Sequence, residues 1–191
     1  MERLLITGGC GFIGSVLVEA LLANDYEIIV IDTEWFGNYL TPHKRLTCIK
    51  SDIRDIENIP FDGIDTIIHL ANIANDPGVE LNPSLSWEVN ALATQQLANE
   101  ARKFGIEHFI YASSGSVYGI KEEEHVTEDL DLLPISVYNK TKMVSERVLL
   151  SYADDFQIHC IRPATVCGWS PRMRLDVSVN MLTWQALKDK E

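Results

Sequence analysis

Arg3-Leu4-Leu5-Ile6-Thr7-Gly8-Gly9-Cys10-Gly11-Phe12-Ile13-Gly14 is the stretch on which the fold turns. Arg3 to Thr7 is a short apolar run of strand type, and Phe12 to Asn24 carries apolar residues at helical spacing. The glycines therefore sit on a strand-to-helix turn. Gly8 or Gly9 permits the tight turn, Gly11 lets the backbone approach a pyrophosphate, and Gly14 lets the helix pack on the strand. Free N–H groups and the positive end of the helix dipole then face that anion. A lone G-x-G-x-x-G is a weak signal, and its place between strand and helix is what makes it a dinucleotide fingerprint.

The next strand-like run, Glu27 to Ile31, ends in Asp32, 18 residues beyond Gly14. A carboxylate there accepts both ribose hydroxyls of NAD and repels the 2′-phosphate of NADP. The alternative is an Asp that merely starts a turn. No Arg or Lys directly follows Asp32, so NAD is expected over NADP.

Outward from this unit, strand-like runs recur near 3–7, 27–32, 46–50, 65–71, 107–113 and 157–162, with helical patterns at 12–24, 84–104 and 136–153. Alternation of this kind predicts an α/β chain with a Rossmann-type, doubly wound parallel sheet covered by helices on both faces. Gly105 ends the 84–104 pattern as a C-cap, and Pro83 precedes its first turn. Segments 72–83 and 114–135 read as loops at the carboxyl edge of the sheet, where such folds bind ligands.

The 191 residues are 46% hydrophobic, enough for one domain with a substantial core. The net charge of −12 argues against a nucleic-acid partner, because neutralising phosphates needs a basic surface. No apolar stretch is long enough to cross a bilayer, so no membrane partner is expected. The first strand begins almost at the N-terminus; a signal peptide is not expected, and the expected location is cytoplasmic. Cys10, Cys48, Cys160 and Cys167 have no metal-ligand spacing and read as buried free thiols; no metal is expected. Glu122-Glu123-Glu124 reads as a solvated loop.

Tyr138 and Lys142 are four apart on a predicted helix and point to one face. A free phenol, with a pKa near 10, is a poor base at neutral pH. A nearby ammonium stabilises the phenolate and brings the tyrosine toward working range. Lys142 can also bond a nicotinamide ribose, and Ser114 at the end of the fifth strand can share the substrate hydroxyl. YxxxK alone is weak, since both residues are common on helix surfaces. Behind a fingerprint loop and an Asp-ended second strand it gains weight.

Together these residues resemble the extended short-chain dehydrogenase/reductase superfamily, in particular its NAD-dependent nucleotide-sugar epimerases and dehydratases. Thr7 to Gly14 resembles TGGxGFIG, Ser51-Asp52-Ile53-Arg54-Asp55 resembles GDIRD, and His69-Leu70-Ala71 resembles the HLAA strand end. Asn90 matches the asparagine of the following helix, and Ser113-Ser114-Gly115-Ser116-Val117-Tyr118-Gly119 resembles SSxxVYG. Glu128, Pro134 and Ser136 fit the lead-in to the YxxxK tyrosine. The resemblance implies a cofactor site of Gly8, Gly11, Phe12, Ile13, Gly14, Asp32, Asp52, Ile53, Leu70, Ala71, Asn90, Ser113, Tyr138, Lys142 and Pro163. It implies catalysis by Ser114, Tyr138 and Lys142, a nucleotide-sugar substrate, and a homodimer through helices 84–104 and 136–153.

Departures from the family pattern narrow the chemistry. The Asp-Glu pair that dehydratases use for water loss is replaced by Gly115-Ser116, and the Glu of decarboxylating relatives is absent at Ser116. The resemblance therefore points to epimerase-type or dehydrogenase-type oxidation of a sugar hydroxyl, at C4. Arg162 to Gly168 stands where relatives carry RxxNVYGP, with Thr165 for the asparagine and Trp169 for the proline. Ser114, Ser116, Thr165, Arg172, Arg174 and Asn180 are the expected substrate contacts, with either arginine suited to a diphosphate. Residues 1–168 read as the NAD-binding domain. Residues 169–191 read as the start of a truncated substrate-binding region, since extended relatives continue well past this point. The rival reading is an NAD-binding protein without catalysis.

Overall fold

A computed structural model describes residues 1–189. Its six strands are β1 (Arg3–Thr7), β2 (Glu27–Asp32), β3 (Leu46–Lys50), β4 (Thr66–His69), β5 (His108–Ala112) and β6 (Gln157–Ile161). All neighbours pair in parallel in the order β3-β2-β1-β4-β5-β6. That order places the chain reversal between β1 and β4, where doubly wound sheets open a crevice for ligand.

Alternation along β1 sorts the core into two faces. Leu4 and Ile6 join Ile28, Val30 and Ile68 against Val18 and Leu22 of α1 (Gly14–Ala23). Leu5 faces the other way, with Ile67 and Phe109, against Leu97, Ala98 and Ala101 of α4 (Ala93–Phe104) and Leu149 of α5 (Val137–Leu150). Both faces of β1 are closed, which is why its sequence reads as a continuous apolar run. The predicted Rossmann-type sheet is present, with each strand within two residues of its expected bounds.

Two expectations about the helices are corrected. Segment 72–83 is not all loop: it holds α2 (Asp76–Leu81), begun by the Asn75 side chain accepting from the Gly78 amide at 3.0 Å. Pro77 fits there because an N-terminal helical position needs no amide donor. The pattern at 84–104 is not one α-helix. α3 (Pro83–Trp87) runs into a π turn at Glu88–Leu92 before α4 begins. Within the 114–135 loop, residues Gly115–Tyr118 form a 3₁₀ turn. Gly105 ends α4 at φ +67°, the left-handed conformation expected of a C-cap glycine. α6 (Ser178–Asp189) follows β6 after a long connection, and residues 190–191 of the expected 169–191 region lie outside the described residues.

Candidate active site

The glycine turn lies at the carboxyl ends of β1 and β4. Gly8 has φ +74°, and a Cβ there would stand 2.5 Å from the Ala71 amide nitrogen. A Cβ on Gly14 would stand 2.6 Å from the carbonyl oxygens of Gly8 and Gly9. Gly14 therefore lets α1 close against the turn itself, a more local reason than packing on the strand. Gly11 meets only the Gly8 carbonyl, at 3.2 Å, so its outer side is open to a ligand backbone contact.

Asp32 ends β2 as expected, and its carboxylate braces the turn. It accepts from the Cys10 amide at 2.9 Å and from the Glu34 amide at 2.8 Å. Beneath the turn, Thr7 and His69 are buried, with Thr7 Oγ1 2.6 Å from His69 Nδ1 and Thr94 Oγ1 2.9 Å from Nε2. Thr94 donates its own proton to the Asn90 carbonyl, so it accepts from His69 Nε2, and Thr7 donates to Nδ1. Burial pushes the imidazole pKa down to about 3, which fits a neutral ring with that proton placement.

The expected catalytic residues meet at the ends of β5 and α5. Ser136 caps α5 by accepting from the Asn139 amide at 3.2 Å, and Tyr138 and Lys142 follow on one face. Lys142 is buried; its Nζ donates to the Ala112 carbonyl at 2.7 Å and lies 4.8 Å from the Tyr111 ring centroid. Burial brings its pKa down to about 7, against the pull of Glu146. Tyr138 departs from expectation. Burial raises its pKa, Arg174 draws it down and Asp76 raises it, with the Ser114 hydroxyl within hydrogen-bonding reach. Lys142, turned to Ala112 and 6.0 Å from the Tyr138 ring centroid, is not among those causes. The cation that relieves Tyr138 in this arrangement is Arg174.

Several expected contacts serve the scaffold. Ser113 donates to Glu146, so its hydroxyl is committed inside the protein. Glu146 in turn receives Arg162, whose Nη1 donates to Tyr118 Oη at 2.7 Å. Asn90 is fully buried and ties the Ile73 amide, at 2.8 Å, to Thr141, at 3.1 Å. Ile53 packs in the core, while Asp52 is paired with Arg54, which also reaches Glu88. The backbone of Leu70 donates to the Thr7 carbonyl and that of Ala71 to Thr7 Oγ1. Pro163 accepts from the Gly115 amide at 2.8 Å. Thr165 is exposed, and Ile13 is 39% exposed at the start of α1.

The two arginines part company. The Arg172 guanidinium lies 3.9 Å from the Phe36 ring centroid; burial and the neighbouring Arg174 lower its pKa, against the pull of Asp176, Tyr39 and Asp32. Arg174 lies on the Tyr138 side, paired with Asp176 at 2.5 Å, and Asn75 donates to Asp176 at 2.8 Å. Asn180 is buried and accepts from the Gly168 amide while donating to the Arg174 carbonyl, both at 2.9 Å. It shapes the loop that carries the arginines. Buried Ser170 anchors the same loop, donating to the Phe12 carbonyl at 2.8 Å with Ser15 Oγ at 2.9 Å. Sequence reading missed Asn139, Glu146 and Asp176. Glu146 had a visible signal, since it stands four residues past Lys142 on the same helical face.

Cys10 is buried, but Cys48 and Cys167 are exposed and Cys160 is half-buried, so burial of all four thiols is corrected. Among the described residues no group of His, Cys, Asp and Glu is placed to hold a metal, and no helix is long and apolar enough to cross a membrane.

Residues 4–185 match the model of the family described as "NAD dependent epimerase/dehydratase family". The chain is 32% identical to the uncharacterized UDP-glucose epimerase YtcB of Bacillus subtilis (strain 168), over 98% of this chain and 63% of that protein. It superposes at TM-score 0.90 and 29% identity on the UDP-N-acetylglucosamine 4-epimerase of Methanobrevibacter ruminantium M1 in complex with UDP-N-acetylmuramic acid, covering 100% of this chain and 64% of that one. It superposes at TM-score 0.85 and 29% identity on the Thermus thermophilus UDP-glucose 4-epimerase complex with NAD, covering 97% of this chain and 61% of that one. The chain thus spans less than two thirds of the length of each of these proteins.

Proposed function

The chain belongs to the NAD dependent epimerase/dehydratase family, and we propose that it binds NAD over the glycine turn and oxidises a nucleotide-sugar hydroxyl at C4. The convergence of Ser114, Tyr138 and Lys142 beside that turn carries this reading. The residues present fit the cofactor: Gly8 and Gly14 keep clear a cradle that a Cβ would fill, and Asp32 ends β2 beside it. Bound NAD would supply the hydride acceptor.

Tyr138 takes the proton of the sugar hydroxyl as phenolate. Ser114 holds that hydroxyl, and Lys142, now bonded to the Ala112 carbonyl, would hold the nicotinamide ribose. Arg174, positioned by Asp176, supplies the charge that keeps the phenolate within range. Gly115 and Ser116 leave no carboxyl pair for elimination, so the outcome would be epimerisation or release of the keto-sugar. Residues 169–191 form the start of the region that grips the substrate, and Thr165 and the two arginines line its approach. The same reading includes a cytoplasmic homodimer through segments 84–104 and 136–153, where Leu92, Phe104 and Leu150 are exposed. Sedimentation of a monomer at micromolar concentration would remove the dimer.

Sugar-dependent NADH formation or C4 epimerisation, assayed with UDP-glucose and UDP-N-acetylglucosamine, tests the function. Activity that Tyr138→Phe abolishes supports it; undiminished activity in that variant rejects Tyr138 as the base. The second reading, NAD binding without turnover, draws on the orientation of Lys142 toward Ala112. NAD binding without reduction by either sugar would favour it.

A further inference from the structure

Ser114, Ser116 and Asn139 form a chain of side-chain bonds behind Tyr138. Ser116 Oγ donates to Asn139 Oδ1 at 2.6 Å, and Ser114 Oγ stands 2.7 Å from Ser116 Oγ. A serine hydroxyl has one proton. The proton of Ser116 is committed to Asn139, so the Ser114–Ser116 bond must use the proton of Ser114. Ser114 Oγ also accepts from the Ser116 amide at 3.2 Å. What remains of Ser114 for the site is a lone pair. Asn139 is fixed by its own burial, 9% exposed, and by its place in the first turn of α5, where Ser136 caps its amide.

We propose that Ser116 and Asn139 are positioning residues that hold the Ser114 proton away from Tyr138, so that Ser114 receives a hydrogen bond from the phenol or from a substrate alcohol. The site at rest is thus set to take an alcohol over a carbonyl at that position. When Ser116 or Asn139 is altered, Ser114 is free to turn its proton toward Tyr138 and stabilise the phenolate.

The remaining groups that face the phenol are Asp76 from α2, Arg174 from the loop after β6, Tyr111 from β5 and Lys142 one turn along α5. None of them contacts the Ser116–Asn139 pair through a hydrogen bond, so their influence is common to all variants compared below. The inference concerns the same site as the proposed function, but its test needs no turnover and therefore stands or falls separately.

The experiment is a pH titration of the chain labelled with ¹³Cζ-tyrosine, read by NMR, with the Tyr138 signal assigned by its loss in Tyr138→Phe. Ser116 is exposed, so Ser116→Ala is compatible with folding. The expected result is a downward shift of Tyr138 titration by about one pH unit, the worth of one hydrogen bond to the phenolate. Asn139→Ala is expected to shift it in the same direction, and Ser116→Thr, which keeps the hydroxyl, to restore it. In a Ser114→Ala background, Ser116→Ala is expected to produce no shift. An unmoved titration in Ser116→Ala overturns the proposal. So does an equal shift with Ser114 already replaced, because the effect would then come from packing or hydration alone.

Discussion

Arg162 and Glu146 are joined by three N–H···O contacts, at 3.0, 3.2 and 2.7 Å, and Glu146 is 1% exposed. The pair ties the end of β6 to α5, one turn past Lys142. Glu146 also receives Ser113, so one carboxylate fixes the end of β5 beside α5.

Removing one member leaves a buried charge without its partner, which costs far more than removing both. Arg162→Met is expected to lower unfolding free energy by about 3 kcal/mol, and Glu146→Leu with Arg162→Met by less than half of that. Urea denaturation of both variants measures the difference. Equal losses would show that the pair contributes through packing and not through charge.

Glycine positions separate crowding from backbone strain. Gly14→Ala forces a Cβ to 2.6 Å from three backbone atoms of the turn and is expected to destabilise by about 2 kcal/mol, with loss of NAD binding. Gly105→Ala meets nothing within 4 Å but keeps φ +67°, so it is expected to cost about 1 kcal/mol and leave NAD binding intact. Thermal melts with and without NAD distinguish the two.

His69 makes stability fall in acid. In the unfolded chain its pKa is the ordinary 6.5, and in the fold about 3, so between those values only the unfolded state takes the proton. Its contribution is fully present above 6.5 and is lost as pH falls toward 3. Between pH 6.5 and about 5 the wild type is expected to lose about 2 kcal/mol more than His69→Gln, beyond whatever that substitution costs at neutral pH. Urea midpoints at the two pH values, compared between the proteins, give the slope.

The parallel sheet and its reversal point were legible because strand and helix periods alternate cleanly from Arg3 to Ile161, and because glycine and capping residues mark the turns. The π turn at Glu88–Leu92 was not, since it keeps an apolar pattern close to that of an α-helix while one extra residue shifts the register. Side-chain identity announced Ser114, Tyr138 and Lys142, but not the direction of the Lys142 ammonium, which depends on a carbonyl brought across from β5. Nor could spacing separate Arg172 from Arg174. They are two apart in the chain, and what separates them is the partner each meets, the Phe36 ring for Arg172 and the Asp176 carboxylate for Arg174. Motif matching reports where Ser113 and Asn90 stand and not what they bond inside the fold, where Ser113 donates to Glu146 and Asn90 is tied to Ile73 and Thr141.

Asp32 and Arg172 are proposed to set the choice between NAD and NADP together. Asp32 holds the Cys10 and Glu34 amides and leaves oxygen lone pairs for ribose hydroxyls, while its charge opposes a 2′-phosphate. Arg172, stacked on Phe36 within the field of Asp32, is a guanidinium already placed on that side of the cleft. Asp32→Ala is therefore expected to weaken NAD by about tenfold or more, the loss of a charge-assisted bond, and to strengthen NADP relative to NAD. Adding Arg172→Ala is expected to erase the gain for NADP while leaving the weakened NAD affinity in place. Calorimetric titration of both cofactors against the two variants checks this. If NADP gains as much without Arg172 as with it, removal of the Asp32 charge alone accounts for the change, and Arg172 has no part in cofactor selection.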